Sequence, residues 1–329
     1  MRITVFTATA LLTVGTVFAA DPQLLNLVMP DAQIVAGVNV TTAKISPFGQ
    51  FVLSRIAAGS AAGNDQGLQK FIDETGFDPR QDVTEILAAS VGDKTNPSGL
   101  FLAKGKFEPQ KLAALAAQHG KETSVSTYAG ATLFTQTAPD GAAVKVAHGL
   151  AFIGNSIAVV GDLPSVQAAL DRAKGANSID VALAARVQAL STTTDAWTIS
   201  MASLSSLLPT DLGPKGAGAQ PLQLVKNVLS SSGGVKFGSN IEINGQAVAT
   251  DAASAKSMAD LVRMVGALVT MGAGQDPQAA AVAKLIQGLK VAQDGATVNL
   301  SITVPEDQVE TLIQASTSTQ AKAASRNKM

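Results

Sequence analysis

The sequence predicts an α+β fold in which antiparallel-rich sheets are covered by helices, organised as a two-fold internal duplication of a β-α-β-β-α unit. Three observations point there. Runs with period-two alternation, such as GLFLAKGKF at 99–107, recur between the turn signals Ala129-Gly130, Pro139-Asp140-Gly141, Gly154-Asn155 and Asp294-Gly295. Stretches with apolar residues at helical spacing fall between groups of these runs. Two pairs of segments also look alike. SIAVVGDLPSVQAALDRA and TVNLSITVPEDQVETLIQ share a strand, a Pro-containing corner and a Val-led helix, and GLFLAKGKFEPQKLAALA shares a strand-to-helix step with NIEINGQAVATDAASAKSMADLV.

In chain order, Gln33 to Val40 reads as a strand ending at Thr41-Thr42, and Ser46-Pro47 caps and opens a helix carrying Phe48, Phe51, Val52 and Ile56. A second helix carries Leu68, Phe71 and Ile72 and closes at Gly76. Val83 to Val91 and Gly99 to Phe107 are ordered segments, the latter alternating as a half-buried strand does. Glu108-Pro109 opens a helix stopped by Gly120. Short strands at 124–128, 131–135, 144–148, 150–153 and 156–160 make a hairpin or meander, and a helix runs from Pro164 to Gly175.

Asp195 to Met201 opens the second half as a fresh strand. A Pro/Gly-rich loop at 208–221 leads into a helix at 222–229, and 235–250 reads as a strand pair turning near Gly238-Ser239-Asn240. Helices at 252–272 and 277–289, a hairpin at Asp294-Gly295, a strand at 297–304 and a helix carrying Val309, Leu312 and Ile313 complete it. The halves are thus 20–190 and 191–315. A small, polar, basic tail at 316–329 is expected to be disordered.

Residues 1–19 read as a signal peptide. Arg2 gives a positive start, Ile3 to Phe18 carry no charge, and Val17-Phe18-Ala19 places small residues where a signal peptidase cuts. The expected mature N-terminus is Ala20. The apolar run is too short to span a bilayer, and no basic stop-transfer cluster follows it. Export to the periplasm or the extracellular space is therefore expected.

Composition excludes several function classes. The chain is 46% hydrophobic and only 15% charged, with a formal net charge of −1. A near-neutral chain whose only Trp and Tyr are Trp197 and Tyr128 has neither the basic footprint nor the stacking platforms of a nucleic-acid binder. It contains no cysteine, so it has no disulfide, no thiol nucleophile, no Cys-ligated metal and no lipobox. No G-x-S-x-G, H-E-x-x-H, G-x-x-x-x-G-K-[ST] or G-x-G-x-x-G occurs, and the two histidines are not at helical spacing from each other. No cofactor, metal site or catalytic residue is expected.

Two places remain as candidate sites. Asp78 and Asp82 flank Arg80 in GFDPRQDVTE; capping explains them first, and a polar ligand contact second. The helices at 252–289 carry the broadest apolar stripe. Met258, Leu261, Val265 and Leu268 lie along the first, with Met264 and Met271 widening it. Packing against the sheet is the expected role of this stripe, and an apolar ligand or partner surface is the alternative, for which flexible Met is well suited.

TGFDPRQDVTEILAAS following LQKFIDETG, together with LLNLVMPDAQIVAGVNV, SPFGQFVLSRI and GGVKFG, resembles uncharacterised exported proteins of acidobacterial type. The resemblance implies an exported α+β protein and carries over no catalytic residue. The expected function is that of an exported, soluble, non-enzymatic protein binding an unidentified ligand or protein partner. One alternative is a hydrolase assembled from scattered Ser, Thr, Lys and Asp residues. The other is a carrier of apolar molecules using the helices at 252–289.

Overall fold

Strand pairing organises the described residues into one sheet. The computed structural model describes residues 20–51, 65–91, 98–119, 123–136, 147–175, 179–203, 226–272 and 277–309. Within them lie β1 (Ile34–Asn39), β2 (Val83–Ser90), β3 (Gly99–Gly105), β4 (Thr123–Tyr128), β5 (Ala131–Gln136), β6 (His148–Ile153) and β7 (Ile157–Asp162). The second half adds β8 (Ala196–Ser200), β9 (Val228–Lys236), β10 (Asn240–Ala249), β11 (Lys290–Asp294) and β12 (Thr297–Pro305). They form one antiparallel sheet in the order β11-β12-β10-β9-β8-β1-β2-β3-β7-β6-β5-β4. Strands before and after residue 191 therefore share one sheet, joined where β1 pairs with β8.

Mixed helix and antiparallel sheet is the α+β class that the sequence predicts. The strand order also reads alike in both directions from the β1–β8 seam. It runs β2, β3, β7, β6 on one side and β9, β10, β12, β11 on the other, with the β4–β5 hairpin added to the first.

Directly paired residues share a face of an antiparallel sheet, so the registers place the core. Trp197, Gly37, Leu87, Leu102, Val159, Ala151 and Leu133 form one row across seven strands. On this face pack α1 (Pro22–Leu25) through Leu24, α6 (Leu163–Arg172) through Val166 and Leu170, and α7 (Val181–Ser191) through Leu183 and Val187. The opposite face carries Ala103, Ala158 and Phe152. There α5 (Pro109–His119) covers an aromatic cluster in which the Phe152 ring lies 5.4 Å from Phe107 and 5.9 Å from Phe134. Against α5 lies α3 (Asp65–Thr75). The same face of the second half is covered by α8 (Ala252–Gly272), whose Ala255 and Ala259 meet Ala249 and Val298. Next to α8 runs α9 (Pro277–Ile286).

Local chemistry sets the element ends. Asp162 and Asp180 cap α6 and α7 by accepting from the Ser165 and Leu183 amides, each at 2.9 Å. The turns read from Ala129-Gly130, Gly154-Asn155 and Asp294-Gly295 all use positive φ, at Ala129, Gly130, Gly154 and Gly295. Four elements depart from the expected pattern. The helix expected at 222–229 has given way by Val228 to β9, whose residues pair with β8 and β10; 222–225 lie outside the described residues. The Gln33–Val40 strand gives way at Val40 to α2 (Val40–Ile45), capped by Asn39. α1 precedes the first strand, in a stretch to which the sequence assigns no element. α7 fills a stretch whose alanines mute the helical period. The segments 1–19, 52–64, 137–146, 204–225 and 310–329 lie outside the described residues. With them lie the signal peptide, the 208–221 loop and the basic tail.

Candidate functional site

The wide stripe of the 252–272 helix divides between two faces. Ala255 and Ala259 are fully buried against the sheet, with Met258 packed beside them. Small side chains let the helix approach closely, and at Gly266 a Cβ would stand 3.2 Å from Ile286 Cγ2 of α9. The large side chains further along point the other way. Met264 is 54% exposed, Val265 47%, Leu268 58% and Met271 82%. Met264, Leu268 and Met271 recur at i, i+4 and i+7, one above the other on the helix surface. Leu261 is half-buried at the margin of this outer stripe. The expectation that this stripe packs as core is corrected for Met264, Val265, Leu268 and Met271, which are open, while Met258 packs with Ala255 and Ala259 against the sheet.

The other sheet face changes character at the seam. The row that reads Leu87, Leu102, Val159 in the first half continues past Trp197 as Gly234, Asn244, Ser301 and Lys290. Asn244, Ser301 and Lys290, with Ser232, Gln246 and Asn299 near them and the wall of α7, line a groove of about 390 Å³. Arg186 and Lys290 supply cationic groups, and the floor is carboxamide and hydroxyl, with Gln246 donating to Asn299 at 3.0 Å. Sequence reading missed this groove because its residues come from four separate strands and a helix. The local signal is the polar phase of NIEINGQ, where Glu242, Asn244 and Gln246 alternate with apolar or small residues. A second cavity of about 240 Å³ lies at the seam, lined by Ala20, Asp21, Glu85, Lys104, Ser191 and Trp197 among others.

Asp78, Arg80 and Asp82 are brought together, in a closed network. Asp78 is buried and caps the short helix α4 (Pro79–Asp82), accepting from the Arg80 amide at 2.9 Å. Arg80 adds a two-pronged contact, Nε to Oδ1 at 2.9 Å and Nη2 to Oδ2 at 3.0 Å. Asp82 in turn accepts from the Asp78 amide at 2.7 Å. The Arg80 side-chain bonds hold the Asp78 carboxyl below the ordinary aspartate range, against the opposing effect of burial. Asp78→Ala is therefore expected to cost about 1–2 kcal/mol near neutral pH, as a lost cap with a charged donor demands. Because the native pKa is depressed, this contribution is present above the usual aspartate pKa and is lost as pH falls through the native one. Urea midpoints of both proteins across the acid range should converge.

Hydroxyls meet carboxylates at several described places. Ser98 Oγ lies 3.3 Å from Asp162 and 2.7 Å from Ser165 Oγ, Ser254 and Thr250 bond Asp251, and Tyr128 donates to Asp171 at 3.0 Å. Asp162 and Asp251 are also accepting helix-start amides, of Ser165 and Ser254. None of these groups lines either cavity. Among the described residues no cluster of three His, Asp or Glu side chains is placed to hold a metal, and no helix is long and apolar enough to cross a membrane.

No protein-family model matches the chain, and no curated protein matches it in sequence. Similarity appears in three dimensions. Crystal form III of TP0453 superposes with a TM-score of 0.52 at 10% identity, over 88% of this chain and 97% of that one. Crystal form IV gives 0.51 at 9% identity, over 88% and 95%. The chain shares the fold of TP0453. The TP0453 match extends over most of the chain and supports the α+β assignment for that extent.

Proposed function

We propose that this protein is an exported, non-catalytic binding protein, built from two duplicated halves, whose outer α8 face receives an apolar molecule. The open stripe of Met264, Val265, Leu268 and Met271 carries this reading. Large apolar side chains are costly to leave in water, and contiguous ones mark a surface that another molecule covers. Two unbranched Met side chains flank Leu268 and adapt to ligands of varied shape. Export rests on the n-region, apolar run and Ala19 cut site, and duplication on the paired segments and the matching strand order around the seam.

Val265→Ala and Leu268→Gln test the surface. Each is expected to shift folding stability by less than about 1 kcal/mol, since neither side chain is buried. Together they are expected to weaken binding of a fluorescent apolar dye about tenfold or more, measured by titration of the same protein preparations. A fall of about 2 kcal/mol for Val265→Ala with dye affinity intact would return the stripe to the core and sink the proposal.

A further inference from the structure

Residue 20 does not trail from the fold. The Ala20 side chain is 5% exposed and belongs to the main core cluster, beside Leu24 and Leu27. One residue on, the Asp21 amide donates to both carboxylate oxygens of Glu85 in β2, at 3.1 and 3.3 Å. The Asp21 carboxylate is already engaged: it pairs with Lys104 of β3 and accepts from the Gln23 amide at 2.7 Å as the cap of α1. Glu85 is different. Among the described residues its carboxylate accepts hydrogen bonds from the Asp21 amide alone, and burial, the largest influence on it, pushes its pKa up. Ser191 Oγ, buried and without a hydrogen-bond partner among the described residues, lines the same 240 Å³ cavity.

Covalent geometry limits how far the chain end can stand from Glu85. Successive backbone nitrogens are at most about 3.7 Å apart, so the Ala20 nitrogen stands within about 7 Å of both Glu85 oxygens. In the precursor that nitrogen is a neutral amide. Hydrolysis of the Ala19–Ala20 bond by the export peptidase adds water, so that Ala19 leaves with a carboxylate and Ala20 keeps an ammonium. We propose that this new ammonium is an internal ligand of the fold, forming an ion pair with Glu85 in the seam cavity and fastening α1 across β2 and β3. The anchor rests on cleavage after Ala19. It makes removal of the leader the step that completes the native structure, because the half-buried Glu85 carboxylate, which until then shares Lys104 with Asp21, gains a cation of its own.

Three proteins test it: one beginning at Ala20, the same chain acetylated on Ala20, and one retaining Val17-Phe18-Ala19. Blocking the ammonium by either route is expected to lower the melting midpoint by about 3–6 °C. In a Glu85→Gln background the same blocks should cost less than half as much. A carboxyl NMR titration gives a readout that does not depend on the variant folding. Glu85 is expected to titrate at lower pH with Ala20 free than with it acetylated. Equal midpoints and equal titration in the free and acetylated chains would overturn the anchor. Mass spectrometry of exported material separates the other failure: a mature end at a residue other than Ala20 removes the cleavage reading, whatever the anchor measures in vitro.

Discussion

Leu102→Ala is expected to cost about 3–5 kcal/mol of folding stability, enough to bring a domain of ordinary stability near its unfolding threshold. Leu102 is 0% exposed at the middle of β3, paired on one side with Leu87 and on the other with Val159, both also 0% exposed. The three span the centre of the first half under α1 and α6, where backbone pairing on both flanks of β3 prevents the sheet from closing over a cavity. Removing the isobutyl group thus loses its burial and leaves a void that cannot collapse. Val160, a neighbour on β7 facing the other way and 42% exposed, provides the control. Val160→Ala should cost under about 1 kcal/mol. Urea midpoints at unchanged slope would measure both. Similar costs for the two variants would contradict this assignment of faces.

The readable parts of this fold are those whose signal is local. Gly154-Asn155 and Asp294-Gly295 announce hairpins because only a few residue types accept positive φ, and both turns occur. GLFLAKG announces β3 because Leu100 and Leu102 alternate toward a core. Sheet order is not local. Nothing within IVAGVN says that β1 will lie between β2 and β8, since that choice is made by contacts many residues distant.

The candidate surface on α8 shows a different limit. Hydrophobicity ranks Leu268 and Met271 above Ala255 and Ala259, yet the alanines are buried and the larger residues open. Helix-to-sheet spacing rewards small side chains at the point of closest approach, so apolarity alone assigns the faces wrongly when both carry apolar residues. Asp78 is the contrary case. Its role as a cap was legible because an Asp before Pro-x-x is a local device, and the structure adds only the Arg80 clasp.

Gly37→Val is expected to destabilise the protein by about 3 kcal/mol or more and to expose its single tryptophan. The position a Cβ would take at Gly37 is occupied by the Trp197 indole, with Cε2 at 2.6 Å and Nε1 at 2.9 Å. Trp197 is 7% exposed and lies opposite Gly37 at the β1–β8 seam, with Gly234 on its other side. β1 is hydrogen-bonded on both edges and cannot retreat, so the ring must leave its place and give up burial. Gly245→Ala offers a comparison within the same sheet. Its Cβ would meet only Leu300 Cβ at 3.8 Å, an ordinary contact, and the cost should stay below about 1 kcal/mol. Because the sheet runs unbroken through the seam, Trp197 emission and far-ultraviolet circular dichroism should report one coincident transition in the parent protein. In Gly37→Val the native emission should shift to the red before any denaturant is added. A native emission unchanged from the parent, or a tryptophan transition separate from the loss of sheet signal, would mean that the two halves do not depend on this seam.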